Sequence, residues 1–203
     1  MSNSWQTILA NSVKSAKQLL SLLELDDNTP ELRQFTEKQF ATKVPLGFVA
    51  RMQKRDPNDP LLLQVLASGS ELQSPGEFSD DPLQEISANP VAGLLHKYHG
   101  RVLLIASGVC AIHCRYCFRR HFDYGDQLLT EEAIEKVCHY ISNDSTIHEV
   151  ILSGGDPLLL SDRRLERLCQ ALNYISHIKT LRLHTRIPIV LHERINHTFF
   201  KSL

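Results

Sequence analysis

No stretch of the 203 residues approaches the roughly 20 consecutive apolar side chains that a membrane-spanning helix needs. The N-terminal segment, residues 1–20, alternates polar and apolar residues and lacks the apolar core of a secretory signal. It reads as an amphipathic helix of a cytoplasmic protein. An excess of either charge is also missing: 22 Lys and Arg stand against 23 Asp and Glu, a net charge of −1. The basic stripe of a nucleic-acid binder is therefore absent, and neither nucleic acid nor a membrane is expected as a partner. There is no internal repeat or low-complexity tract, which sets aside solenoid and fibrous architectures. The five cysteines are an odd number, and three of them lie within eight residues. That spacing is too tight for a disulfide framework and favours metal ligation in a reducing compartment.

Hydrophobic residues make up 42% of the chain, enough for one core of ordinary size or a main domain with a helical extension. Residues 1–90 read as helical and irregular. Leu9, Val13, Ala16, Leu20 and Leu23 fall at helical spacing and predict a helix over Ser4–Leu25. Thr29-Pro30-Glu31 reads as a helix start. Short helices are expected around Leu46–Lys54 and Pro60–Leu66, followed by a Ser-, Pro- and Asp-rich wrapping segment to Pro90.

From Arg101 the pattern changes. Val102–Ala106, Glu149–Leu152 and Thr180–His184 read as strands. Between them, Thr130 caps a helix with Ile134, Val137, Cys138 and Ile141 on its apolar face, and a second helix carries Leu165, Leu168, Cys169 and Leu172. Cys138 and Cys169 are thus expected to pack as small hydrophobes in the core. A further helix is expected to begin near His192. Strand and helix alternate as in βα units around a parallel sheet, which predicts an α/β fold over residues 91–203. In such sheets the chemistry sits at the C-terminal ends of the strands, and the polar motifs are expected there.

Cys110-Ala-Ile-His-Cys114-Arg-Tyr-Cys117 follows the first of these strands as C-x3-C-x2-C. Three thiolates on one loop can bind three irons of a cubane and leave the fourth open to an outside ligand. A zinc site would more often use two separated pairs or add a fourth ligand. Ser153-Gly154-Gly155-Asp156-Pro157 follows the second strand. Its glycines let backbone approach a ligand closely and its Asp can accept from an ammonium, although a tight strand-to-helix turn would look the same.

Together these motifs resemble the radical S-adenosylmethionine (SAM) superfamily. The wider series of His96-Lys97-Tyr98-His99-Gly100-Arg101, Cys110 through His121, Ser153 through Leu158 and His184-Thr185-Arg186-Ile187-Pro188 is similar to the lysine 2,3-aminomutase family, in the branch that serves elongation factor P. The likeness runs from about Val44 to Arg194. It implies a partial (β/α) radical SAM barrel with an N-terminal helical extension, and a chain that stops short of the full barrel.

The resemblance also implies an activity: exchange of an amino group between C2 and C3 of lysine, giving (R)-β-lysine. A [4Fe–4S] cluster and SAM would supply a 5′-deoxyadenosyl radical, and pyridoxal 5′-phosphate (PLP) would hold the substrate. By the same resemblance Cys110, Cys114 and Cys117 hold the cluster. Ser153, Gly154, Gly155, Asp156 and His184 meet SAM, with a buried structural role as the alternative for His184. Tyr98 and Arg101 lie near the PLP phosphate. Arg119 pairs with the substrate carboxylate, against the alternative that Arg119 and Arg120 are a solvated charge pair. The implied partners are lysine, a reductant such as flavodoxin or ferredoxin, elongation factor P and its lysyl ligase.

No lysine here takes the Schiff-base role, Lys136, Lys179 and Lys201 included. The chain alone is therefore not expected to complete turnover. Two other readings stay open, another radical SAM enzyme such as an activase, and a non-enzymatic cluster- or zinc-binding module.

Overall fold

The computed structural model describes residues 4–26, 41–68, 71, 76, 79, 81–125, 127 and 129–201. The expected helix start at Thr29-Pro30-Glu31 lies outside the described residues. The chain divides into two compact units, one of Met1–Pro82, Ala111–Arg120 and Ile189–Glu193, the other of Leu83–Cys110, His121–Pro188 and Arg194–Leu203. Among the described residues no helix is long and apolar enough to cross a membrane.

In the first unit the expected helix over Ser4–Leu25 is two helices, α1 (Trp5–Ala10) and α2 (Ala16–Leu22). Both begin on a serine. Ser4 accepts from the Thr7 N–H and Ser15 from the Gln18 N–H, which satisfies orphan donors of the first turn. The break exists because Val13 is used elsewhere: it exchanges backbone hydrogen bonds of 2.8 and 3.0 Å with Val44 in a two-residue β-bridge. Val13, Ala16, Leu19, Leu20 and Leu23 are all buried. Of the expected face, Val13, Ala16, Leu20 and Leu23 are buried and Leu9 only half-buried, and Val13 reaches the core from the bridge rather than from a helix.

Helix α3 covers only Leu46–Val49, shorter than the expected Leu46–Lys54. Residues 60–66 are turns and a bend, and the expected helix there is replaced for a specific reason. The buried Asp59 carboxylate accepts from the N–H groups of Gln53, Leu61 and Leu62, at 2.8–2.9 Å, and so fixes an irregular loop.

The second unit is built on a four-stranded sheet in the order β1 (Leu94–Tyr98), β2 (Arg101–Ser107), β3 (Glu149–Gly154), β4 (Thr180–Leu183). β2, β3 and β4 are parallel, as expected from the βα alternation. β1 was not expected; it pairs antiparallel with β2 across a two-residue turn at His99 and Gly100. The interiors of β2 and β3 are almost continuously buried, the pattern of strands covered on both faces. β4 is more exposed and lies at the edge of the sheet.

Helix α4 (Glu131–Ser142) starts on Thr130, whose hydroxyl accepts from the Ala133 N–H, and it buries Val137 and Ile141. Helix α5 (Asp162–Asn173) starts on Ser161 and buries Leu165, Leu168 and Leu172. Cys138 and Cys169 sit half-buried at the margins of these faces rather than in the core, and burial still pushes both thiol pKa values up. Near the end of the chain, the expected helix from His192 resolves into a short 3-10 turn, His192–Arg194, and a single-turn helix, α7 (His197–Phe200), after the short α6 (Ile187–Val190).

Arg194 anchors the segment after β3. Its side chain is fully buried, and its guanidinium donates to the Leu158 and Leu160 carbonyls at 2.8 and 3.3 Å and pairs with Asp162 at 2.6 Å. It also lies over the Phe199 ring, 4.8 Å from the centroid. Replacing Arg194 with Met takes the buried donor from the Leu158 and Leu160 carbonyls and the partner from the half-exposed Asp162. Urea unfolding of R194M is expected to show a loss of about 3 kcal/mol; a loss below about 1 kcal/mol would contradict this anchoring role.

Candidate functional site

The C-terminal ends of the parallel strands carry the expected motifs of the second unit. β2 and β3 run in register as far as Ile105 opposite Ser153, and a bulge then sets Ser107 against Gly154. Beyond it the two chains stay laced. The Gly155 N–H donates to the Ser107 carbonyl at 2.6 Å, and the Asp156 N–H to the Val109 carbonyl at 2.8 Å.

The glycines are what permit this. Gly154 adopts φ +107°, and a Cβ there would lie 2.5 Å from the Ser107 oxygen. A Cβ on Gly155 would lie 2.7 and 2.8 Å from the backbone C and N of Val109. The close approach inferred for a ligand is thus made to the chain's own backbone, in the segment that leads into Cys110. Tyr124, which sequence reasoning missed, closes the same corner; its hydroxyl donates to the Gly154 carbonyl at 3.2 Å and its ring packs on Gly108.

Asp156 ties in the third strand. One carboxylate oxygen accepts from the Thr185 hydroxyl at 2.7 Å and the Leu158 N–H at 3.1 Å, the other from the Arg186 N–H at 2.8 Å. Burial pushes its pKa above the usual 3.8, opposed in part by these hydrogen bonds. His184 follows β4, with its N–H donated to the Leu152 carbonyl at 2.9 Å. Its side chain is exposed, which overturns the alternative of a buried structural histidine. Within this unit the fold therefore brings together Cys110, Ser153, Gly154, Gly155, Asp156 and His184.

Tyr98 and Arg101 are not part of that gathering. They occupy the β1–β2 hairpin at the opposite end of β2, about 20 Å from Ser107 at roughly 3.3 Å per strand residue. The expectation that every polar motif sits at the C-terminal ends of the strands fails for these two. Tyr98 is exposed, and Arg101 reaches 3.8 Å from the buried carboxylate of Glu149, which Arg182 also holds at 2.5 Å. The Arg182 hydrogen bond above all draws the Glu149 pKa down.

The first unit holds the rest of the cysteine motif. Cys114 and Cys117 share one turn, with the Cys117 N–H donated to the Cys114 carbonyl at 3.1 Å. The loop backbone is fastened through His113 N–H to the Lys43 carbonyl (3.0 Å) and Arg115 N–H to the Gln64 carbonyl (2.7 Å). Burial, then the neighbouring Cys114, pushes the Cys117 thiol up, while the Arg119 N–H opposes the shift. Arg119 is buried over the Phe118 ring at 4.7 Å, so it is not one of a solvated pair. Arg120 is not solvated either: it and Arg115 both pair with Glu71, a residue in the wrapping segment that no sequence pattern marked.

A model of the radical SAM superfamily matches residues 104–194. The chain is also 43% identical over 98% of its length to the L-lysine 2,3-aminomutase of Buchnera aphidicola, and 45% identical over 94% to that of Escherichia coli. The Haemophilus influenzae protein of the same name is 43% identical over 96%. The chain is thus similar to the radical SAM superfamily over its second half, and to these aminomutases over nearly all of its length. It spans 56–59% of the length of these three relatives. Its four-stranded α/β sheet is consistent with part of a radical SAM barrel.

The superfamily match and these relatives imply a [4Fe–4S] cluster, SAM and PLP. For a cluster the donor chemistry fits: Cys110, Cys114 and Cys117 are half-buried thiols in no disulfide. Among the described residues no three of His, Cys, Asp and Glu converge as ligands of one metal ion. A cubane makes a different demand, one thiolate on each of several irons. The residues expected to meet SAM, Ser153–Asp156 and His184, are gathered beside the segment entering Cys110. Tyr98 and Arg101, expected near the PLP phosphate, lie at the other end of the sheet from that turn.

Two outcomes follow. Gly155→Ala forces a methyl group into the Val109 backbone and is expected to cost about 2–3 kcal/mol in denaturant unfolding; unchanged stability would contradict the close approach. Because the Glu149 carboxyl is held below its ordinary 4.5, its contribution is present above that pH and lost as pH falls through the folded value. Stability of the wild type is therefore expected to decline in acid below about 4.5 more steeply than that of Glu149→Gln; parallel pH profiles would refute the assignment.

Proposed function

We propose that this chain forms the SAM-activating part of a radical SAM isomerase that converts L-α-lysine to (R)-β-lysine. Residues 91–203 form the first part of its barrel, and residues 1–90 a helical extension. The reading is supported above all by one observation: the segment entering Cys110 is stitched, backbone to backbone, to the glycine turn after β3. A cluster ligand and the SAM turn are thereby held at the same end of a parallel sheet, where α/β enzymes place their chemistry. The aminomutase relatives supply the reaction class.

In this proposal Cys110, Cys114 and Cys117 hold three irons of the cluster. Bound cluster and SAM together supply a 5′-deoxyadenosyl radical. Ser153, Gly154 and Gly155 present backbone to SAM. Asp156, occupied by Thr185 and Arg186, holds the turn in shape while His184 faces the open side. Arg119 offers a planar, desolvated guanidinium to the lysine carboxylate, where a bidentate pair is strongest. Tyr98 and Arg101 would meet the phosphate of bound PLP, which would hold the lysine substrate. The protein works in the cytoplasm, takes its electron from a flavodoxin or ferredoxin, and supplies β-lysine to the ligase that modifies elongation factor P.

Anaerobic reconstitution with iron and sulfide tests the core of this. The wild type is expected to turn brown with about four irons per chain, to show an EPR signal on reduction that SAM alters, and to lose both with Cys114→Ser. Colourless, iron-free protein would sink the proposal. In a preparation that forms β-lysine from lysine, Arg119→Gln is expected to lower kcat/KM for lysine about tenfold or more; no effect would remove Arg119 from substrate binding.

A further inference from the structure

We propose that Glu71 is a positioning residue for the cysteine loop, setting the placement of Cys114 and Cys117 through a carboxylate clamp on Arg115 and Arg120. The proposal rests on the cluster reading above. One Glu71 oxygen accepts from Arg115 Nε at 2.9 Å and from the Ser68 N–H at 3.0 Å. The other accepts from Arg115 Nη2 and from Arg120 Nη1, the latter at 3.0 Å. Arg115 stands between the two cysteines and Arg120 just beyond the second, so one carboxylate spans the Cys114–Cys117 turn from both sides.

The clamp is largely dry. The Arg115, Arg120 and Glu71 side chains are 9%, 16% and 20% exposed, which separates it from the surface ion pairs that contribute little. Without the carboxylate, both largely desolvated guanidinium groups lose a charged acceptor that joins the two sides of the turn. Groups that orient metal ligands from behind in this way usually change metal retention by one to two orders of magnitude.

The test compares anaerobically reconstituted wild type, Glu71→Gln and Glu71→Asp. Each is followed by the rate of iron loss to a chelator, by EPR of the reduced cluster with and without SAM, and by thermal unfolding of the iron-free form. E71Q is expected to lose iron on the order of tenfold faster and to show an altered EPR line shape, with E71D recovering part of both. E71Q with wild-type iron loss and EPR overturns the clamp and leaves the cluster reading intact. Wild type that takes up no iron overturns both. If E71Q does not fold, Arg120→Gln removes one arm while keeping the Arg115 pair. It is expected to lose iron at a rate between the wild type and tenfold above it, and wild-type retention there overturns the proposal.

Discussion

The contact on which the second unit depends is between two stretches of main chain, those of Gly155 and Val109. Parallel strands run side by side without bringing their C-terminal loops together. Here the Ser107 and Val109 carbonyls continue to accept from Gly155 and Asp156 after the ladder has ended. Only a residue without a Cβ can come that close. Asp156 extends the tie to the end of β4 through Thr185 and Arg186, and Arg194 holds the following turn from beneath. The strand ends are thereby fixed by main-chain hydrogen bonds and one buried carboxylate, with little freedom for the residues that face a ligand.

Buried carboxylates recur as brackets, and the balance of desolvation against hydrogen bonds decides the direction of each pKa; that of Asp59, held by backbone N–H groups, falls. Asp156 is held by neutral donors, a hydroxyl and backbone N–H groups, which do not fully offset desolvation, so its pKa rises. Glu149 faces Arg182 and Arg101 and falls. Glu71 is pushed up by burial, but Arg115, the Ser68 N–H and Arg120 together bring it below its ordinary value. Glu149 and Glu71 are therefore charged struts, whereas Asp156 is a hydrogen-bonded joint whose charge the fold does not favour.

The parts of the fold legible in the sequence are those set by local pattern. β2, β3 and β4 were expected at close to their observed bounds, α4 and α5 from their recurring apolar residues, and Thr130 caps α4 as anticipated. Elements whose form depends on a specific partner, distant or local, rather than on the apolar pattern were misread. Val13 leaves the helical path to pair with Val44. Residues 60–66 are shaped by the buried Asp59. β1 exists because β2 offers it an edge, and its residues show no clean alternation of their own.

The same division runs through the site. The chain alone determined the C-x3-C-x2-C spacing, the glycine turn and the apolar runs that place each after a strand, because covalent spacing and side-chain periodicity are properties of short segments. Only the tertiary structure decided that the glycines face Val109, that Asp156 reaches Thr185 and Arg186, that Arg101 belongs to the far end of the sheet and that Glu71 grips two arginines. These contacts join residues far apart in sequence, and a carboxylate acquires such a partner only when packing removes the water that would otherwise solvate it.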